Sequence, residues 1–131
     1  MLKHFTLQTQ KEGFYNITPQ VLKALNESKA QTGTCVIFCP HTTAGITINE
    51  NADPDAVKDM LFGLDKAFPN CKEFCHMEGN STAHLKASSI GSCATVIIEN
   101  SSLVLGTWQG IYFCEFDGPR HRRFYVKIQK D

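Results

Sequence analysis

Three histidines are the residues of this chain best suited to metal chemistry. His41 follows an apolar run, and His76 and His84 stand on either side of Gly79. Glycine permits a turn that folds His76 back toward a helix carrying His84. Since imidazole is a common metal ligand, the three histidines, together with carboxylates elsewhere in the chain, predict a divalent-metal site. The alternative is that the histidines are hydrogen-bonding residues of the structure.

Carboxylates elsewhere in the chain are candidates for proton transfer or for metal binding. Proton transfer to a reacting group needs a side chain such as Glu within hydrogen-bonding distance. The candidates are Glu50, Glu78 and Glu115, whose roles as ligand, base or anchor stay open at this point. We take Glu115 or Glu50 as the proton acceptor and Gln109 as a third catalytic residue.

A cationic cluster directly follows the turn 117–119. It contains Arg120, Arg122 and Arg123, with His121 between them. Guanidinium groups are forked donors that match phosphate or carboxylate. The cluster therefore predicts a small anion pocket in which Arg120 and Arg122 hold phosphate, whereas a solvated strand end is the alternative. Further residues predicted to bind the substrate are Thr42, Asn80 and Trp108.

The segment 105–116 places polar groups inside an apolar run. Its alternation predicts a strand with Gln109 and Glu115 on one face and Trp108 on the other. Glycines at 106 and 110 indicate a bulge, or the close approach of a ligand or a second chain. The alternative is that they accommodate the Trp108 ring. If that ring is fully buried, its removal should destabilise the fold by about 3–5 kcal/mol.

Composition excludes several classes of function. The 131 residues carry a formal net charge of +0, so no basic surface indicates nucleic-acid binding. The sequence shows neither a signal peptide nor an apolar run that could span a bilayer, and we expect a cytoplasmic protein without a membrane partner. A reducing compartment leaves the six cysteines as free thiols. Cys35 and Cys39 cannot share one ion, because four strand steps separate them by roughly 13 Å.

Apolar periodicity predicts an α+β fold in one domain, residues 1–131. The predicted element order is ββαββααβββ, in a mixed or antiparallel sheet with the helices mainly on one face. The predicted strands are 3–9, 14–17, 35–39, 46–49, 94–98, 105–116 and 123–129. Helix starts with capping residues are predicted at Thr18-Pro19, Asp53-Pro54 and Asn80 or Ser81. We expect the apolar run 95–98 to be a central strand, and the last three strands to form a meander.

Four motifs together resemble the YjbQ-like family, whose members are often called secondary thiamine-phosphate synthases. The motifs are His41-Thr-Thr-Ala-Gly-Ile, Asn49-Glu-Asn-Ala-Asp-Pro, Glu78-Gly-Asn with His84, and Leu105-Gly-Thr-Trp-Gln-Gly continuing to Asp117-Gly-Pro-Arg. The resemblance runs nearly end to end and implies an α+β homotrimer, with a pocket built from these motifs and zinc held by the histidines. The matching positions are His41, His76, His84, Glu50, Asn80, Trp108, Gln109, Glu115, Asp117 and Arg120. The segment 71–75 and His121 are particular to this chain.

The residues and the resemblance lead to three hypotheses. The first is a metal-dependent enzyme acting on phosphorylated metabolites, a weak thiamine-phosphate synthase that joins two phosphorylated partners with loss of pyrophosphate. The second is a metal-dependent phosphate-ester hydrolase, in which the ion lowers the pKa of a bound water to about 7. The third is a non-catalytic metabolite-binding homotrimer. Catalytic turnover would distinguish the two enzyme hypotheses from the binding hypothesis.

Overall fold

Two antiparallel sheets form the framework of the computed structural model, which describes residues 1–131. The strands are β1 (Leu2–Gln8), β2 (Gly13–Asn16), β3 (Gly33–Phe38), β4 (Ala44–Glu50), β5 (Cys93–Glu99), β6 (Ser102–Leu103), β7 (Gln109–Glu115) and β8 (His121–Lys130). The helices are α1 (Thr18–Ser28), α2 (Pro54–Ala67) and α3 (Ser81–Ile90). One sheet has the strand order β1-β8-β3-β5-β6, and the other has the order β2-β7-β4.

The predicted α+β class is confirmed, and the element order differs from the prediction by one short additional strand, β6. The predicted cap of α2 is present, because the carboxylate of Asp53 accepts a hydrogen bond from the Asp55 N–H at 2.9 Å. Thr18 does not cap α1. It is already helical, and its hydroxyl accepts from the Ile111 N–H at 2.9 Å. None of the helices combines the length and the apolar character needed to cross a bilayer.

The predicted meander of the last three long strands is wrong. β5 pairs with β3 and β6, β7 with β2 and β4, and β8 with β1 and β3. The reason lies in β7, which is apolar on both faces. Ile111 and Phe113 belong to one buried cluster, whereas Tyr112 and Cys114 belong to another. A strand of this kind is stable between two layers, and β7 therefore lies outside the five-stranded sheet.

β5 lies close to the edge of its sheet, although its apolar run predicts a central position. Its outer neighbour β6 is only two residues long. Val96 and Ile98 are buried, whereas Ile97 on the opposite face is 61% exposed. The structure therefore buries the apolar face of β5 and exposes the opposite face, which carries Cys93, Thr95, Ile97 and Glu99.

The main core lies between the two sheets and α1. It contains Leu25 from α1, Phe113 from β7 and Phe124 from β8, all almost completely buried. A smaller cluster on the other face of β7 includes Ala83 and Ala87 from α3. The outer face of the five-stranded sheet keeps exposed apolar side chains, among them Leu2, Phe38 and Ile97.

All six cysteines are unpaired in this fold. Cys35 and Cys39 are buried, and burial raises the pKa of each thiol to about 11. Both are therefore protonated thiols at neutral pH, and metal ions bind the thiolate form.

Candidate functional site

Three separate parts of the chain line one polar cleft of about 470 Å³, a volume typical of small-molecule sites. The lining residues are Pro40, His41, Thr42 and Thr43 after β3, His76, Glu78, Asn80 and His84 around the start of α3, and Arg120 and Arg122 after β7. The structure thus brings together all three predicted metal ligands. It also brings to the same cleft every predicted substrate-binding residue except Trp108.

Strand pairing explains why these segments meet. β3 and β8 are antiparallel neighbours with Phe38 opposite Tyr125, so the link that leaves β3 lies near the start of β8. α3 is held against β4 at the same end, where the Ile46 N–H donates to the Gly91 carbonyl at 3.0 Å. Gly45 permits this approach, because a Cβ there would lie 2.6 Å from the Gly91 oxygen.

His76 and His84 form an adjacent pair, with ring centroids 5.3 Å apart in an edge-to-face arrangement. Gly79, at φ +71°, makes the turn between them, and its N–H donates to the His76 carbonyl at 3.1 Å. No group of three His, Cys, Asp or Glu side chains is arranged to hold a metal ion. The predicted ligands therefore share a cleft without forming a closed coordination shell. The imidazole pair suits zinc chemically, and two donors leave positions for water, a ligand or a third donor.

The backbone of β8 fixes the ring of His41. Its Nε2 lies 3.1 Å from the amide nitrogen and 3.2 Å from the carbonyl oxygen of Arg123. Burial, followed by the charge of Arg122, lowers the pKa of His41, so the ring is neutral at pH 7. If Nε2 accepts from the Arg123 N–H, Nδ1 carries the ring proton and donates to a ligand; Nδ1 is free to bind a metal ion only in the tautomer in which Nε2 donates to the Arg123 carbonyl.

Glu115 and Arg122 form a buried ion pair beneath the cleft. Arg122 donates from Nε to Oε1 at 2.7 Å and from Nη2 to Oε2 at 2.5 Å. The Thr9 hydroxyl donates to Oε1 at 2.6 Å, and the Asp117 N–H donates to Oε2 at 3.0 Å. Burial alone would raise the pKa of Glu115, but the hydrogen bonds from Arg122 and Thr9 outweigh it and lower the pKa below its ordinary value.

This arrangement gives Glu115 a different role from the predicted one. The side chain is fully buried, does not line the cleft and has both oxygens occupied. A carboxylate held in this way is a weak base without access to a substrate, so it does not fit the predicted role of proton acceptor. It instead orients Arg122, whose Nη2 also donates to the Thr43 hydroxyl at 2.8 Å.

Asp117 joins Asn80 to Arg120. Its Oδ2 accepts from Asn80 Nδ2 at 2.7 Å and from Arg120 Nη2 at 2.9 Å, and its carbonyl oxygen accepts from Arg120 Nε at 2.9 Å. Burial would raise the pKa of Asp117, but the hydrogen bonds from Asn80 and Arg120 lower it overall. Arg120 makes these contacts with Nε and Nη2, which leaves the Nη1 donors free for an anion.

Asn80 occupies the N-cap position of α3 without capping the helix, because its side chain turns to Asp117 instead. Its Oδ1 is buried and has no hydrogen-bond partner. Buried acceptors without a partner are rare and reduce stability. This atom is therefore well suited to accept a hydrogen bond from a ligand or to contact a bound cation.

Comparison with known proteins relates the chain to a family. A family model described as UPF0047 protein YjbQ-like matches residues 3–131. The chain belongs to the YjbQ-like UPF0047 family. It is 54% identical over 130 residues to UPF0047 protein YugU of Bacillus subtilis, with 98% of each chain covered. It is 52% identical over 132 residues to a UPF0047 protein of Methanocaldococcus jannaschii, covering 100% of this chain and 96% of that one.

Solved structures of YjbQ-like proteins share the fold. A crystal structure of a YjbQ/UPF0047 protein from Clostridium acetobutylicum matches with a TM-score of 0.95 at 57% identity, covering 97% of this chain and 99% of that chain. A YbjQ-like protein of unknown function from Sulfolobus solfataricus matches with a TM-score of 0.95 at 30% identity, covering 100% and 97%. These names state no reaction.

Three residues of the YjbQ-like motifs lie far from the cleft within one chain. β4 and β7 pair with Ala44 opposite Glu115 at the cleft end and with Glu50 opposite Gln109 at the other end. Six strand steps separate these ends by about 20 Å. Glu50 and Gln109, which the sequence analysis assigns to catalysis, therefore do not share a cleft with the histidines, and neither does Trp108, which precedes β7.

The glycine requirement near Trp108 has a packing explanation. A Cβ on Gly110 would lie 2.6 Å from the side chain of Asn51. Asn51 in turn accepts a hydrogen bond from the Tyr112 hydroxyl at 3.2 Å. The Trp108 ring is 64% exposed, so close packing of Asn51 accounts for glycine at position 110 better than accommodation of the ring does.

Two residues that support the cleft, Thr43 and Thr9, are not among the predicted site residues. Thr43 binds Arg122 and lies next to Thr42 in the His41 motif, so its position in that motif is a usable signal. Thr9 binds Glu115 across 106 residues of chain. No local pattern marks Thr9, because its contact depends on how β1 and β8 pair.

Proposed function

We propose that the cleft binds a small phosphorylated metabolite and catalyses a reaction at its phosphate with a divalent ion, zinc being the favoured one. The observation that carries this proposal is the convergence of the His76 and His84 pair with Arg120 in one cleft. Imidazole groups bind metal ions, and guanidinium groups bind phosphate. A cleft that offers both suits a ligand whose phosphate contacts the ion and the arginine together.

Each role in this proposal follows from the contacts of the residue. Arg120 uses Nε and Nη2 to hold its own turn, and its Nη1 donors are free to bind a phosphate oxygen. His76 and His84 hold the ion, which when bound supplies positive charge to the phosphate or lowers the pKa of a water. Thr42 and the unpartnered Oδ1 of Asn80 contact the remaining polar groups of the ligand.

Glu78 is the carboxylate best placed for proton transfer. It is the one Asp or Glu that lines the cleft, since Glu115 lies beneath the cleft and Glu50 lies at the far end of β4. Its only hydrogen bond is a long contact of 3.4 Å from Asn80 Nδ2 to Oε2. We therefore propose Glu78 as the general base in place of Glu115 or Glu50.

Two reaction types use the same groups. In thiamine-phosphate synthesis, which the resemblance implies, a thiazole phosphate displaces pyrophosphate from a pyrimidine substrate. A C–N bond to the thiazole nitrogen forms, the C–O bond to pyrophosphate breaks, and pyrophosphate leaves. Hydrolysis of a phosphate ester uses the same cations, with water as the acceptor. We propose transfer as the first activity to test and hydrolysis as the second.

Turnover assays on purified, zinc-loaded protein test the proposal. One assay follows thiamine-phosphate formation from both substrates, and the other follows phosphate release from a panel of phosphate esters. We expect turnover that is abolished by His84→Ala and by Arg120→Gln. His4→Ala, which removes a histidine on β1 outside the cleft, is the control and should leave turnover unchanged.

The outcome decides between catalysis and binding. Turnover that survives His84→Ala would contradict the role of the histidine pair. No turnover with either assay, combined with stabilisation of the protein by a phosphorylated ligand, would replace catalysis by ligand binding as the function.

We also propose that the chain forms a homotrimer in the cytoplasm. Support for assembly comes from the exposed apolar side chains Leu2, Phe38 and Ile97, since such patches mark interfaces. Three exposed free thiols suit a reducing compartment. Light scattering should give a mass near three times 14.6 kDa, and Ile97→Lys should lower it. A wild-type mass near 14.6 kDa would contradict the trimer.

A further inference from the structure

A second cleft of about 390 Å³ adjoins the cleft of the proposed function. His41 and Arg122 line both clefts. The other residues that line the second one are Thr6, Leu7, Gln8, His121 and Arg123. The two clefts therefore adjoin each other at His41 and Arg122.

The outward face of β1 and β8 supplies the polar groups of the second cleft. Thr6 lies opposite Arg123, and Gln8 lies opposite His121. Directly opposed residues on antiparallel strands project from the same face of a sheet. All four side chains are exposed, so hydroxyl, amide, imidazole and guanidinium donors surround the same space.

The second cleft carries one guanidinium group whose charge no carboxylate compensates, that of Arg123. No Asp or Glu lines it. Arg122 is paired with Glu115, but none of the five ion pairs of the structure includes Arg123. A phosphate or carboxylate in this cleft would therefore meet a guanidinium group with no competing carboxylate.

We propose that the second cleft binds a second anionic group of the ligand whose phosphate occupies the first cleft. The substrate class is then a small metabolite with two phosphates, or with a phosphate and a carboxylate, placed on either side of His41. Arg123 and His121 become specificity-determining residues for that second group. This inference rests on the proposed phosphate site and adds the requirement that the ligand carries a second anionic group.

Calorimetric titration of the full chain with defined probes tests the inference. The probes are propyl phosphate, the bisphosphates of linear diols with three to five carbons, and carboxyalkyl phosphates of the same lengths. At constant ionic strength, we expect the best two-anion probe to bind about tenfold more tightly than propyl phosphate. If the bisphosphates bind more tightly, the second anion is a phosphate; if the carboxyalkyl phosphates bind more tightly, it is a carboxylate.

Two variants and a matched control test whether this cleft causes the gain in affinity of two-anion probes over propyl phosphate. Arg123→Gln and His121→Asn should each reduce the gain, and the double variant should remove it, while binding of propyl phosphate changes by less than about twofold. Lys127→Gln, an exposed cation further along β8, should keep the gain in full. Circular dichroism checks that each variant is folded.

The possible results separate this inference from the proposed function. If wild type binds propyl phosphate and no two-anion probe binds more tightly, the second cleft is not an anion site and the first cleft stands. If the gain persists in the double variant, the assignment to Arg123 and His121 is wrong. If no phosphate probe binds at all, the proposed function fails and this inference fails with it.

Discussion

The carboxylate of Glu115 and the guanidinium of Arg122 face each other in a two-point ion pair, with Nε to Oε1 at 2.7 Å and Nη2 to Oε2 at 2.5 Å. Both side chains are buried. The pair joins the last residue of β7 to the second residue of β8, and so it connects the two sheets directly beneath the cleft. The shape of the cleft therefore depends on this ion pair, although a ligand in the cleft does not contact Glu115.

Glu115→Gln should destabilise the protein by about 3–5 kcal/mol, because it leaves the charge of Arg122 buried without a carboxylate. Urea unfolding followed by circular dichroism measures the change. Glu99→Gln, an exposed carboxylate at the end of β5, is the control and should change the free energy of unfolding by less than about 0.5 kcal/mol. Unchanged stability of Glu115→Gln together with lost turnover would return Glu115 to the catalytic residues.

The stability of the protein should fall as the pH drops below about 4.5, the ordinary pKa of a glutamate. The fold lowers the pKa of Glu115, so the unfolded chain takes up the proton at a higher pH than the folded chain does. This contribution is complete above the unfolded pKa and is lost as the pH falls toward the folded pKa. Asp117, whose pKa is lowered from 3.8, acts in the same direction.

Urea midpoints measured across the acid range check this dependence. Glu115→Gln removes the titrating group, so its midpoint should change less with pH than that of the wild type. Parallel curves for the two proteins would show that Glu115 has the same pKa in the folded and the unfolded chain.

Lys86→Met should destabilise the protein less than Glu115→Gln, although Lys86 is also buried. Lys86 donates to Glu12 at 2.8 Å and to Asp65. Its side chain is 4% exposed, whereas those of Glu12 and Asp65 are 34% and 63% exposed. Water can solvate both carboxylates once the lysine is gone, so we expect a loss of about 1–2 kcal/mol in the same urea experiment. A loss as large as that of Glu115→Gln would contradict this solvation argument.

Trp108→Ala should change the free energy of unfolding by less than about 1 kcal/mol, because the ring is 64% exposed. The loss of about 3–5 kcal/mol that a fully buried ring would give is therefore not expected. Phe113→Ala, at a fully buried position of β7, is the comparison and should lose about 3–5 kcal/mol. A similar loss for both variants would place the Trp108 ring in a buried contact, such as one between subunits.

Features that depend on residues close together in the sequence can be predicted from the sequence. Asp53 caps α2 because its carboxylate reaches an N–H two residues away. Gly79 reverses the chain between His76 and His84 because its backbone adopts a positive φ without strain. The alternation in β7 also correctly separates Phe113 from the residues of the opposite face.

Features that depend on strand pairing are not recoverable in this way. Alternation gives the face on which a side chain lies, but it does not give the strand that lies beside it. Glu50 and Gln109 stand in motifs as long as those of the histidines, and only the register of β4 with β7 shows that they lie at the far end. The partners of Glu115 are equally hidden, because Thr9 reaches it only after β1 and β8 have paired.

The metal content of the purified protein tests the central claim most directly. Elemental analysis of protein prepared without added metal or an affinity tag should find close to one zinc per chain, and the zinc should be lost in His76→Ala and in His84→Ala. His4→Ala should retain it, because His4 lies outside the cleft. Absence of metal from wild-type protein, with phosphate binding unaffected by His84→Ala, would contradict a metal-assisted phosphate site at this histidine pair.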